Sequence, residues 1–163
     1  MGINTKNSLV GAALVMAAPL ALWGLMGQQD EPGYARSELG YAMEPIRALE
    51  GWATGLGVVA LLVTAVSALH LLRATLSGAL DARRWHILLP LAAAGLVLAW
   101  SHRVLTAGMP DANIGAGLAV FFGTPLVAGL LIWALVQAIL LRGGRGTART
   151  EPAGPARSVQ GVS

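Results

Sequence analysis

The feature that most constrains this chain is the way its charged residues divide among the segments between four long apolar stretches. If the chain crosses a membrane at each apolar stretch, alternate segments lie on the same side. One side then has eight basic residues: Lys6, Arg73, Arg83, Arg84, Arg142, Arg145, Arg149 and Arg157. The other side has three: Arg36, Arg47 and Arg103. The acidic residues divide the opposite way, with Asp81 and Glu151 on the first side and Asp30, Glu31, Glu38, Glu44, Glu50 and Asp111 on the second. An excess of Lys and Arg on one side is the positive-inside pattern of a polytopic membrane protein. The sequence therefore predicts an all-α integral membrane protein, a four-transmembrane-helix bundle in up-down-up-down order with both termini in the cytoplasm.

Composition agrees with a membrane protein and argues against several kinds of soluble protein. Of the 163 residues, 55% are hydrophobic and 12% are charged, against about 25% charged in soluble domains. A net charge of +3 does not indicate nucleic acid, because most of the basic residues flank apolar stretches where they meet lipid headgroups. The chain has no cysteine, which excludes disulfides and thiolate metal sites.

Hydropathy divides the chain into one transmembrane domain, residues 1–141, and a basic cytoplasmic tail at 142–163 that is expected to be disordered because it lacks large apolar residues. The predicted spans lie at about 9–27, 52–72, 86–106 and 114–141, and the largest loop is an extracytoplasmic segment at 28–51. The short connection between the second and third spans predicts that these two lie antiparallel as a hairpin.

Two details of the helix starts follow from local residues. Pro45 suits the first position of a helix and Glu44 its positive end, so the second helix is expected to begin there. The first span could instead be a cleaved signal peptide with Lys6 as its charged region. Its length of about 19 residues exceeds the usual apolar region of about 7–15, which favours retention.

Small residues recur at a spacing of four on two spans. Gly51 and Gly55 lie at the start of the second span, and Gly115, Ala119 and Gly123 follow one another along the fourth. Stripes of this kind let helix backbones approach closely in a membrane. We expect packing within one chain, with contact to a partner subunit as the alternative.

Polar residues are predicted to gather at the outer end of the bundle. The members of this outer polar cluster are Glu44, Arg47, Glu50, His102, Arg103 and Asp111. Charges near a membrane boundary are tolerated when they pair or reach the interface. The favoured interpretation is an ion-pair network that tethers the loop to the bundle. The alternative is a vestibule for a proton, an ion, a quinone headgroup or a partner loop.

Three histidines are the candidate cofactor ligands. His70 and His86 lie near the cytoplasmic ends of the second and third spans, and His102 lies at the outer end of the third. Two imidazoles on neighbouring helices can ligate a b-type haem. No cofactor or metal is predicted outright, and haem b is the alternative.

No motif in the chain carries a recognised chemistry. The sequence has no phosphate-binding loop, zinc-binding histidine pair or nucleophile turn. No span has a carboxylate at mid-depth, which argues against a proton-coupled transporter.

The Ala-, Gly- and Arg-rich composition is typical of a bacterial protein. The predicted function is therefore a non-enzymatic bacterial inner-membrane protein, a small structural or accessory subunit with a membrane protein partner or further copies of itself. The alternatives are a haem-binding membrane anchor for electron transfer and, less favoured, a channel or transporter subunit.

Overall fold

The computed structural model describes residues 3–143, and these form an all-helical protein with one small pair of strands. The helices are α1 (Ile3–Met26), α2 (Arg47–Leu76), α3 (Trp85–Leu105) and α4 (Ile114–Gly143). Short 3-10 turns lie at Arg36–Glu38 and Ala82–Arg84, and strands β1 (Gly40–Tyr41) and β2 (Gly108–Met109) pair antiparallel. All four helices are long and apolar enough to cross a membrane. Even α3, with 21 residues, extends about 32 Å at about 1.5 Å per residue, against a hydrocarbon core of about 30 Å.

Each predicted span falls on one of these helices, although α1 begins at Ile3, six residues before the predicted first span. The helix α2 begins at Arg47 rather than at Pro45, because Ile46 has a ψ angle of 87° that lies outside the helical region. Most of the predicted tail, residues 144–163, lies outside the described residues.

Helix α1 is the centre of the packing. It packs against both α2 and α3, and α4 packs against α3. The helices of the expected hairpin, α2 and α3, therefore pack mainly on α1 and not on each other in the described part of the chain. The connection still holds their ends together, because the Trp85 indole N–H donates to Thr75 Oγ1 at 2.9 Å.

Small residues allow α1 to approach its neighbours closely. A Cβ atom added to Gly57 of α2 would lie 2.8 Å from the carbonyl carbon of Gly24 in α1, so the two backbones are in direct contact. On the other side, a Cβ atom at Gly95 of α3 would lie 2.7 Å from the Pro19 ring, and α1 continues through Pro19 as a single helix. Where lipid removes the hydrophobic drive between helices, close backbone packing of this kind supplies the attraction.

The predicted small-residue stripes fall on two different kinds of surface. Ala119 and Gly123 are buried, and a Cβ atom at Gly123 would lie 3.0 Å from Ser101 Oγ of α3. Gly115 is exposed, although a Cβ atom there would lie 3.3 Å from the Val104 side chain. For Gly51 and Gly55 the prediction of packing within the chain is wrong. Both are exposed with open space beside them, because α2 turns Ala53 and Gly57 toward α1 instead.

Candidate functional site

Arg103 is the most deeply buried charged side chain among the described residues, with 3% of its surface exposed. Its Nε donates a hydrogen bond to the backbone carbonyl of Trp23 at 2.7 Å, and its Nη1 donates to Gln28 Oε1 at 3.4 Å. The guanidinium carbon lies 4.1 Å from the centre of the Trp23 ring. A cation over an indole face is attracted by the ring quadrupole, by about 2 kcal/mol when desolvated. The end of α1 therefore supplies a ring, a carbonyl and a nearby amide to one side chain of α3.

One donor of this guanidinium remains without a partner. Arg103 Nη2 is buried and makes no hydrogen bond, and the same holds for Glu50 Oε1. The Glu50 carboxylate attracts Arg103 electrostatically, yet within the described chain its ion pair is with Arg36, at 3.3 Å. The buried Arg103 and the half-buried Glu50 therefore interact through their charges without forming an ion pair in the described chain.

His102 is held by the same tryptophan. The Trp23 indole N–H donates to His102 Nδ1 at 3.2 Å, and the two rings meet edge to face with centroids 6.4 Å apart. An imidazole nitrogen that accepts a hydrogen bond carries no proton, so the neutral ring bears its hydrogen on Nε2. Trp23 therefore orients both consecutive polar residues of α3.

A second set of hydrogen bonds ties the loop after α1 to the end of α3. Asp30 Oδ1 accepts from the Gly108 backbone N–H at 2.9 Å, and Asp30 Oδ2 accepts from the Tyr41 hydroxyl at 3.3 Å. The Gln28 amide also donates to the Thr106 carbonyl. Burial, and then the charge of Asp30, raise the pKa of the Tyr41 phenol above its usual value. Tyr41 consequently remains a neutral donor to Asp30 throughout the physiological range.

Asn113 connects α3 to α4. Its side-chain amide donates to the carbonyls of Val104 and Ala107 at 3.0 and 3.2 Å, and its Oδ1 accepts from the Ala116 N–H at 2.8 Å. One side chain thus joins carbonyls in the last turn of α3 and just beyond it to an N–H of the first turn of α4. This double cap fixes the turn that bears β2.

An apolar groove begins beside this polar end. Its volume is about 440 Å³, and α1, α2 and α3 each contribute lining residues. Leu20 lies on α1, Leu49 and Leu56 on α2, and Leu98 on α3, while Trp23 and His102 are polar-tipped members of the lining. The groove exists because α1 holds α2 and α3 apart. We call it the α2–α3 groove.

The structure brings together only some members of the predicted outer polar cluster. His102 and Arg103 lie together on Trp23, and Glu50 acts on Arg103 through its charge. Glu44 and Arg47 are exposed. Asp111 is also exposed and lines a separate cavity of about 830 Å³ with Asp30 and Glu31.

The three candidate haem ligands do not come together. His70 lines a cavity with Lys6 and Arg73, whereas His86 lines another with Gln137 of α4. His102 lies sixteen positions beyond His86 on the same helix, about 24 Å away at about 1.5 Å per residue. Within residues 3–143, no cavity that we find has two of these histidines in its lining. The paired-imidazole arrangement that a b-type haem needs is therefore not supported by their positions.

Sequence reasoning missed the residues that organise this end: Trp23, Gln28, Asp30, Tyr41, Thr106 and Asn113. Trp23 has the signal of an interfacial tryptophan, which describes its depth but not its contact with Arg103. Asn113, just before an apolar stretch, has the signal of a helix cap and could have been found. The bonds that join Gln28 and Asp30 to α3 and the residues just after it span 75 to 78 positions, and no local pattern indicates them.

Comparisons with known proteins identify no relative of this chain. No family model, no curated protein and no solved structure matches it. The function is therefore inferred from the residues and their contacts.

Proposed function

We propose that this protein is a non-enzymatic accessory subunit of a bacterial inner-membrane complex, and that its α2–α3 groove receives a transmembrane helix of a partner protein. In this proposal the four helices cross the membrane in up-down-up-down order, and both termini are cytoplasmic. The polar residues around Arg103 then lie at the outer surface.

Exposure of apolar side chains supports the membrane placement. In the most apolar window of each helix, only 28%, 22%, 17% and 17% of residues from α1 to α4 are buried inside the protein. Large side chains such as Leu62, Phe121 and Ile132 are 60–73% exposed. Water-soluble monomers rarely expose continuous apolar surface of this extent. Lipid covers such surface at no cost.

The packing order is the observation that carries the accessory role. Because α2 and α3 both pack mainly on α1, their facing surfaces leave an apolar groove open beside α1, and a transmembrane helix can pack on such a surface. The groove is lined almost wholly by apolar side chains, which suits a transmembrane segment. Its outer end offers the His102 ring for a polar contact with the segment that enters.

Site-specific photocrosslinking in native membranes tests this proposal. A photoreactive phenylalanine analogue at Leu56 or Leu98, which line the groove, is expected to capture one defined membrane protein. The matched control is Leu126 of α4, which is 53% exposed and lies outside the groove. There we expect crosslinks to lipid alone.

A substitution adds a functional test. L98W fills the groove, so the partner should be lost on purification in mild detergent, whereas L126W should retain it. Crosslinks from Leu56 and Leu98 that match those from Leu126 would show that the groove is filled by lipid and would refute the accessory role.

A further inference from the structure

A cavity of about 380 Å³ lies at the opposite end of the helices from Arg103. The start of α1, the connection after α2, the start of α3 and the end of α4 all contribute to it. Among the described residues, its polar lining consists of Asn7, Ser8, Asp81, Arg84 and Arg142, and its apolar lining includes Ile87, Leu88 and Leu141. We call it the basic cavity.

Asn7 shows that this cavity is built for a polar ligand. Its side chain is 5% exposed, and its amide Nδ2 has no hydrogen-bond partner. A buried donor without a partner is uncommon and asks for an explanation. Here the donor belongs to the lining of a cavity that two guanidinium groups also line.

Charge and shape select the class of ligand. Among the described lining residues, Arg84 and Arg142 are cationic and Asp81 is anionic. The unpaired Asn7 amide and the Arg142 guanidinium suit a phosphodiester, whose oxygens accept from donors of both kinds. Asp81 Oδ1 accepts from the Arg83 backbone N–H, which leaves Oδ2 to accept from a headgroup hydroxyl. Ile87, Leu88 and Leu141 offer apolar contact for an acyl chain.

We propose that the basic cavity binds the headgroup of one anionic glycerophospholipid of the phosphatidylglycerol type. Asn7 and Arg142 hold its phosphate, and Asp81 accepts from its glycerol hydroxyl. This inference rests on the membrane placement proposed above but not on the α2–α3 groove or its partner. Basic pockets between helices at the cytoplasmic surface are a known means of holding anionic headgroups.

Native mass spectrometry of the purified, delipidated full chain in non-ionic detergent tests the site. Titration with phosphatidylglycerol is expected to give one retained lipid per protein, in preference to phosphatidylcholine. R142Q should weaken binding about fivefold, the effect of one basic residue at a lipid surface. N7D keeps the size of the side chain but replaces the donor with a carboxylate, so it should weaken binding further.

R83Q is the matched control because Arg83 lies next to Arg84 in sequence but lines a different cavity. It removes one positive charge at the same end of the helices and should leave phosphatidylglycerol binding unchanged. Equal weakening by R83Q and R142Q would show unspecific attraction to basic residues and would overturn the proposal. Equal binding of phosphatidylcholine would also overturn it, as would full displacement of the lipid by inorganic phosphate, since a free anion would then be the ligand.

R142Q alters an exposed side chain in the last turn of α4, so it provides the test even if N7D fails to accumulate. Failure of the proposed membrane placement can be told apart from failure of the lipid site, because labelling of intact cells tests the placement separately. A chain that crosses the membrane as proposed but shows no lipid preference would refute the lipid site alone.

Discussion

Arg103 is a charged side chain placed where apolar helices meet, and contacts from α1 keep it there. Its sequence neighbourhood, Ser101-His102-Arg103, indicates a polar feature near a span end. It does not indicate that Trp23, 80 positions earlier, supplies both a carbonyl and a ring. A buried charge is stable only when such partners compensate for lost hydration.

Removal of the Arg103 guanidinium is expected to destabilise the protein. R103Q should lower the free energy of unfolding by about 3 kcal/mol, since the loss of one member of a buried charged network has costs of this size. R103K should be almost as unstable as R103Q, because an ammonium cannot reach the Trp23 carbonyl, the Gln28 amide and the Trp23 ring together. Thermal unfolding in detergent, followed by tryptophan fluorescence, measures the change.

The exposed Arg47 provides the control for this experiment. R47Q removes the same charge from the start of α2 and should stay within about 0.5 kcal/mol of the parent protein. Equal stability of R103Q and R47Q would mean that the contacts with Trp23 and Gln28 do not hold α1 to α3.

The helices themselves were predictable, whereas their partners were not. Hydropathy located all four, with bounds that differ by up to six residues, because a run of apolar side chains about 20 residues long has few alternatives to a helix in lipid. Spacing of small residues was a weaker guide. Gly51 and Gly55 have the expected spacing but face outward, and the close approach occurs at Gly24 and Gly57 instead.

Substitution of the contact glycine tests this assignment. G57L should lower the free energy of unfolding by at least about 2 kcal/mol, because any side chain at that position meets the backbone of Gly24, which cannot give way. Thermal unfolding of the purified variant in detergent gives the measurement.

G55L is the matched control, two positions away on the same helix with open space beside it. Its stability should be unchanged, because leucine replaces glycine on an outward helix face. If G55L proved as harmful as G57L, the face of α2 that meets α1 would be wrongly assigned.

The assembled bundle has two polar ends of different character. The end around Arg103 is organised by hydrogen bonds between loops and helix termini, and the other end presents basic side chains around a cavity. This asymmetry agrees with the division of charges along the chain. The position of α1 between α2 and α3 explains why an open groove remains in so small a protein.

Membrane topology is open to a direct test because the chain has no cysteine. Single cysteines at Ala35, Ala79 and Ala112, all exposed in connections between helices, provide the labelling sites. In intact cells a membrane-impermeant maleimide should label A35C and A112C, whereas A79C should react only after permeabilisation. Labelling of A79C from outside would refute the proposed orientation and the assignment of the basic cavity to the cytoplasmic surface.

The sequence by itself determined that the chain forms four long apolar helices, and which stretch of the chain forms each one. Hydropathy and helix-breaking residues act over a few positions, so they can be read locally. Only the tertiary structure decided that α1 is central, that Gly57 rather than Gly55 is the contact, and that Trp23 and Gln28 hold Arg103. These contacts join residues far apart in the chain, and they depend on which face each helix turns to its neighbour. On helices that are apolar all round, hydropathy does not specify that face.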